Sequence, residues 1–386
     1  MEYNDRKTYI YRTETEMKIV VTGTRGIPGI LGGVETHCEE LFPRVADDKH
    51  EIIIVRRPEY ISSGNETKCY KKVAIMDIKT LSGKHFEAII HTFKAILYAR
   101  KIHADIVHIH AIGPSLMIPI VRLLGMKAVM THHGPDYNRQ KWGFFSKSIL
   151  KLGEKLGGKY ANHIIVISKH IRELIRINCP AQKNVSLIYN GVNLACPQAE
   201  SGYLSELGLE RHSYILAAGR FVKEKGFDLL IEAYKNRKDK HIKLVIAGDA
   251  DHEDRYSLSL KEMAREQGVI LPGFIQKDKL SQLYSFARLF VLPSYHEGLP
   301  ISLLEAMNCH CNVLVSDIPA NTEVGLMENC YFKCGDVQSL KDGLDRKLQD
   351  TKVSSEYDMS LYNWDYIAQQ TKDIYNSLMQ KTILQP

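Results

Sequence analysis

Short apolar runs alternate with amphipathic stretches along almost the whole chain. A first series is MKIVVTG (17–23), HEIIIVR (50–56), DIVHIHA (105–111), KAVMTHH (127–133) and HIIVISK (163–169). A second is YILAAGR (214–220), IKLVIAG (242–248), VILPGF (269–274), LFVLPS (289–294) and CNVLVSD (311–317). Near-continuous apolar runs predict strands buried on both faces, as in parallel sheets. Helical patterns such as VETHCEELFPRV and FDLLIEAYKN lie between them. Alternation of this kind predicts an α/β fold with helices on both sides of each sheet. The stretch NLACPQAESGYLSELGLERHS sustains neither period, which places a join at about 190–212. Two doubly wound domains then face each other across a cleft, over 17–200 and 201–362, behind a loose tail at 1–16. Ligands of open α/β sheets bind beyond the carboxyl ends of the strands, so chemistry is expected just after each run.

Composition adjusts this picture only at a few points. A length of 386 residues suits two domains, with room for a third, at ~150 residues each. No apolar run approaches the ~18 residues of a membrane span. The polar start MEYNDRKTYIYRTETE lacks the apolar stretch of a signal peptide, so a cytoplasmic location with free thiols is expected for the eight cysteines. Cys309 and Cys311 with Cys330 and Cys334 match no zinc spacing. The net charge of +6 is concentrated: residues 139–159 carry Arg139, Lys141, Lys147, Lys151, Lys155 and Lys159 against Glu154 alone. Lys147, Lys151, Lys155 and Lys159 repeat every four residues, and Trp142, Phe144 and Phe145 sit just upstream. A basic helix with adjacent aromatics fits an anionic membrane surface, with a solvated helix face as the plain alternative. No stacking or groove-reading motif supports nucleic acid.

Four stretches offer chemistry. In LPSYHEGLPISLLEAM (292–307) a strand end leads through a Gly-Leu-Pro turn into an apolar helix. Glu297 falls in the loop, and Glu305 lies about 8 Å further along the helix at 1.5 Å per residue. The helix start favours a phosphate, and the two carboxylates can accept hydroxyls, which together describe a nucleotide-sugar. GTRGIPGILGGVETHCEEL (23–41) is a glycine loop before a helix, able to cradle a phosphate or a sugar, without the G-x-G-x-x-G of a dinucleotide fold. AAGRFVKEKG puts Arg220 and Lys225 after a strand beside Gly219, two cations for a diphosphate leaving group. His108 and His110 share one strand face, and His133 precedes Gly134 at the next strand end. Asp249-Ala250-Asp251 matches a D-x-D metal motif, but its acidic neighbours Glu253 and Asp254 mark it as an ordinary loop.

In this order the motifs GGVET, H-x-H, THHGPDYNRQKW, IVISK, IYNGVN (188–193), GRFVKEKG and EGLPISLLE resemble a family 4 glycosyltransferase of the GT-B fold over nearly all of 17–380. NWDYIAQQTKDIY (363–375) is similar to that family's terminal segment, which implies a closing helix at 363–386 that crosses back to the first domain. The resemblance implies a retaining transferase that uses a nucleotide-diphosphate sugar and no essential metal. Carried onto this chain, Arg220 and Lys225 hold the diphosphate, Glu305 the ribose hydroxyls and Glu297 the donor sugar. Gly219, Gly298, Leu299, Pro300 and Asn190 complete the donor side. His133 touches the sugar near the reaction centre, and Gly32, Gly33 and His110 face the acceptor side. A glycan or polyprenyl-diphosphate-linked acceptor at the inner membrane face is implied, as in the synthesis of a cell-surface polysaccharide. The rival readings are an epimerase of the same architecture and a catalytically silent sugar-nucleotide binder.

Overall fold

A computed structural model describes residues 17–30, 32–61, 66–80, 87–138, 143–193, 202–237, 241–350 and 353–383. The expected tail at 1–16 lies outside the described residues, as do 194–201 within the expected join.

The first sheet has eight strands: β1 (Met17–Thr22), β2 (His50–Arg56), β3 (Cys69–Tyr70), β4 (Val73–Asp77), β5 (Ile106–His110), β6 (Lys127–His132), β7 (His163–Val166) and β8 (Val185–Leu187). Their order is β3-β4-β2-β1-β5-β6-β7-β8, parallel except for the short β3–β4 pair. The second sheet has β9 (Tyr214–Ala218), β10 (Lys243–Ala247), β11 (Leu289–Leu292), β12 (Val313–Ser316) and β13 (Tyr331–Phe332), in the order β10-β9-β11-β12-β13. β1 separates β2 from β5, and β9 separates β10 from β11, so the winding reverses beside these two strands. A crevice opens at the carboxyl end of such a strand. Those ends carry the GTRG loop and the Gly219-Arg220 loop.

Apolar layers cover both faces of each sheet. The helices Gly33–Val45 and Trp364–Ile383 bury one face of the first sheet, with Phe42, Trp364, Ile367 and Tyr375 packed against Ile19, Val21 and Ile54. The chain crosses back where Val192 N donates to Tyr362 O at 2.8 Å and Val192 pairs with Asn363. The last helix thus closes on the first sheet, as the closing segment implied.

The second sheet departs from expectation at VILPGF. Ile270 alone pairs with Val245, because Pro272 has no N–H to extend a ladder and Gly273 turns the chain at φ 73°. The short strands β3, β8 and β13 carry no apolar run long enough to announce them, whereas β4 does carry one, VAIM (73–76), that the expected series omits. Cys38, Cys69, Cys179, Cys311, Cys330 and Cys334 are free thiols, whereas Cys309 is disulfide-bonded, against the expectation of free thiols throughout.

Candidate active site

The two crevices meet in one cleft of about 510 Å³ between the sheets. Its first wall is the loop after β1. Gly32 adopts φ 149°, and a side chain there would collide with the Glu35 carboxylate, which folds back over the loop. Glu35 Oε1 accepts from Thr24 Oγ1 and from the Arg25 N–H, both at 3.1 Å. The opposite wall is built from three strand ends. Lys225 closes a short 3-10 turn (Lys223–Lys225) after β9, and the left-handed Gly226 then starts the helix Phe227–Lys235. Lys225 Nζ meets Glu297 Oε1 at 2.6 Å, and Ser294 Oγ donates to the same oxygen at 2.6 Å. Arg220 Nη1 meets Asp251 Oδ2 at 2.8 Å.

The donor loop is held against the first domain by backbone contact. A Cβ on Gly298 would strike the His133 carbonyl oxygen, so only glycine permits this approach. Asn190 Nδ2 donates to Leu299 O at 2.9 Å. Its Oδ1 therefore accepts from His37 Nδ1 at 3.0 Å, which leaves the lone pair on His37 Nε2. Pro300 is the N-cap of the helix Ile301–Asn308. Glu305 lies at the pocket floor, where Tyr284 OH donates to Oε2 at 3.1 Å. Burial pushes the Glu305 carboxyl up to about 7, with the Tyr284 bond and Lys277 opposing.

Behind His133 the histidines form a stack. His110 lies 4.5 Å from the His108 ring and 5.2 Å from the His133 ring, and its Nδ1 shares a hydrogen bond with His133 Nε2 at 2.9 Å. His108 is pinned by Tyr375 OH at 2.6 Å and Thr131 Oγ1 at 2.7 Å. His132 Nδ1 accepts from the Gly134 N–H, so its Nε2 carries the proton that goes to Glu154 at 2.9 Å. Burial lowers His37 to about 4 and His108 to about 3, and drives His110 and His133 well down. The stack therefore presents neutral imidazoles to the cleft.

The structure brings most of the expected residues together. His133, Arg220, Lys225, Glu297, Gly219, Gly298, Leu299, Pro300, Glu305, Asn190, Gly32 and Gly33 all line the cleft. His110 does not: it is fully buried behind His133. Asn190 lines the cleft with its amide already engaged on both sides.

Arg25, Arg57, Lys277 and Tyr284 also line the cleft and escaped the sequence reading. Arg25 was discoverable, since GTRG places a cation after β1 just as GR places Arg220 after β9. Asp251 pairs with Arg220 and Asp249 with Lys261 at 2.9 Å, so the D-x-D carboxylates sit on cations. Among the described residues, His37, His110 and His133 are the set that brings three ligand atoms within 4.8 Å of one another.

Two family models match the chain: "Glycosyltransferase Family 4" over residues 31–195 and "Glycosyl transferases group 1" over 205–363. An uncharacterized glycosyltransferase of Methanocaldococcus jannaschii is 27% identical, over 94% of this chain and 99% of its own. The fold matches sucrose-phosphate synthase of Thermosynechococcus elongatus at TM-score 0.81 and 19% identity, covering 95% of this chain and 100% of that one. It also matches Anabaena HepE solved with UDP-glucose, at TM-score 0.77 and 17% identity over 94% and 100% of the two chains. With both halves of the chain matched in order, and the cleft lying where the two halves meet, the chain belongs to the family 4 glycosyltransferases of the GT-B fold.

Proposed function

We propose that this glycosyltransferase moves a hexose-type sugar, with retention, from a nucleoside-diphosphate sugar to a glycan or polyprenyl-diphosphate-linked acceptor. The observation that carries the reading is the Lys225–Glu297 pair at 2.6 Å, with Arg220 on the same loop as Lys225 and the helix Ile301–Asn308 starting after the Glu297 loop. One contact sets a cation suited to phosphate beside a carboxylate suited to sugar hydroxyls, the two chemistries a nucleotide-sugar combines. A neighbour of the same fold was solved with UDP-glucose, which supports a donor of this class.

In this reading Arg220 and Lys225 hold the diphosphate, Glu305 takes the ribose hydroxyls and Glu297 those of the sugar. The neutral His133 contacts the sugar as a hydrogen-bonding group. Transfer breaks the bond from the anomeric carbon to the phosphate oxygen and forms the bond to the acceptor oxygen on the same face. The acceptor proton passes to the leaving phosphate, so no side-chain base is required. Fixed cations stabilise the charge that develops on the diphosphate. The reading therefore needs no divalent metal and no cofactor.

The acceptor side points to a membrane. Of the basic 139–159 segment, residues 139–142 lie outside the described residues. The rest forms the helix Phe144–Tyr160, with Phe144 90% and Phe145 67% exposed and Lys151, Lys155 and Lys159 on the surface. No helix among the described residues is long and apolar enough to cross a membrane. We place the protein peripherally on the inner face of the plasma membrane, extending a lipid-linked cell-surface polysaccharide.

Melting temperature against UDP-, GDP-, dTDP- and ADP-sugars, with and without EDTA, tests the donor reading. A ligand that binds only the native state raises the melting temperature. Stabilisation by one nucleotide family that survives EDTA is expected. No stabilisation, or stabilisation that EDTA abolishes, overturns the metal-free site and turns attention to His37, His110 and His133. Donor turnover without any acceptor would favour the epimerase.

A further inference from the structure

Asp251 Oδ2 receives two arginines from opposite domains: Arg25 Nη2 at 2.9 Å and Arg220 Nη1 at 2.8 Å. The two guanidinium nitrogens are therefore within about 5.7 Å of each other across the cleft. Among the described residues Asp251 makes no other side-chain hydrogen bond. Burial would raise its carboxyl, yet the two arginines hold it below the ordinary carboxylate range.

Arg25 is pre-positioned. Its guanidinium lies 5.2 Å from the Tyr60 ring centroid and 4.0 Å from Glu35, and its carbonyl accepts from the Arg57 N–H at 2.9 Å. Arg57 lines the same cleft, is nearly buried and pairs through Nη1 with Glu87 Oε1 at 3.3 Å, while its Nε has no hydrogen-bond partner among the described residues. A buried guanidinium donor left unmatched is costly unless an anion takes it. The first wall thus holds an unmatched buried donor, Arg57 Nε, beside Arg25.

We propose that Arg25 and Arg220 form one phosphate subsite spanning the cleft, in which Asp251 is an internal counter-ion that a substrate phosphate displaces. A single carboxylate oxygen bridging two guanidinium groups occupies the position of one phosphate oxygen, and Arg chemistry favours the phosphate. The phosphate is either the donor's own, gripped from both domains, or one carried by the acceptor close to its reacting hydroxyl. This rests in part on the donor reading above, but the subsite itself is tested without it.

Titration of the full-length protein with inorganic phosphate and with pyrophosphate reads the subsite directly. Arg25→Ala is expected to weaken binding about tenfold, and Asp251→Asn, which removes the competitor but keeps the shape, to tighten it about tenfold. Two further titrations find the source. If Arg25→Ala weakens UDP, GDP, dTDP or ADP as much as pyrophosphate, the phosphate is the donor's. If nucleotide affinity is unchanged while phosphate binding to the nucleotide-saturated protein is lost, it is the acceptor's. No phosphate or pyrophosphate binding by the wild-type protein, unchanged binding in Arg25→Ala, or weaker binding in Asp251→Asn overturns the proposal. Wild-type phosphate binding with no nucleotide binding sinks the donor reading and leaves the subsite standing.

Discussion

Lys225 Nζ stands 2.6 Å from Glu297 Oε1, although the two residues are 72 positions apart and belong to different loops. Both side chains are mostly shielded in the cleft wall, at 19% and 12% exposure. The pair neutralises itself and holds each partner where one ligand can touch both. In the donor reading proposed above, a diphosphate would share Lys225 with Glu297, and the pair already fixes the cation for it.

Lys225→Ala is therefore expected to lower turnover by about 10²–10³-fold, the usual effect of removing one donor to a developing negative charge. The stability cost should be about 1–3 kcal/mol, since a mostly shielded Glu297 loses its cation and keeps Ser294 as a partner. Turnover and melting curves on the same preparation separate the two. A variant with unchanged turnover sinks the assignment of Lys225 to the diphosphate.

The strand ends were legible because apolar runs fix where each sheet stops, and the topology concentrates ligand chemistry there. Arg220, Lys225, Glu297 and Glu305 were found this way. His110 was misplaced for a definite reason. A period of two gives the face of a strand but not what covers that face, and here it is closed by Phe42 and by Tyr375 of the last helix. Asp251 meets Arg25 over 226 positions of sequence, and no local pattern encodes such a contact. The role of Asn190 depends on His37 and Leu299, which reach it from two other segments.

Glu305 gives a pH prediction with a definite sign. Burial favours its neutral form, so the native state keeps a proton that the unfolded chain has already released between the ordinary glutamate range and about 7. The stability this group contributes is fully present below the ordinary glutamate range and is lost as pH rises through about 7. The carboxylate is partly open to the cleft, which tempers the effect. His37 and His108, lowered to about 4 and 3, act in the opposite sense, losing their contribution as pH falls. Both are common to the wild type and to Glu305→Gln. The stability of the wild type relative to Glu305→Gln should thus fall between pH 5 and 8, as read by urea unfolding at each pH. A flat difference contradicts the raised carboxyl.

His110 is expected to act through His133, as a positioning residue. His110→Ala removes the 2.9 Å bond that orients the His133 ring and should lower kcat by on the order of 10-fold to 10²-fold, with a smaller change in donor KM. Asn can present a polar atom near the lost Nδ1, so His110→Asn should recover part of the rate. Equal loss in both variants, or a loss that follows melting temperature alone, marks His110 as a packing residue only.

The helix Phe144–Tyr160 ties a surface prediction to the site. Its outer side exposes Phe144, Phe145 and Leu152 with Lys151 and Lys155, while Glu154 on the same helix holds His132, the residue before His133. Aromatic insertion and attraction to anionic lipid reinforce each other, and the electrostatic part is screened by salt. The protein should float with vesicles containing anionic lipid, bind neutral vesicles poorly, and release at high ionic strength. Replacing Phe144 and Phe145 by Ser together should weaken vesicle binding by about tenfold or more, given roughly 1.5–3 kcal/mol for each aromatic side chain fully withdrawn from water. Glu154 is untouched in that variant, so turnover on a soluble acceptor analogue should be preserved while turnover on a lipid-linked one falls. Equal flotation with neutral and anionic vesicles rules out the docking face. Loss of both activities instead shows that the substitutions reach the His132–His133 turn.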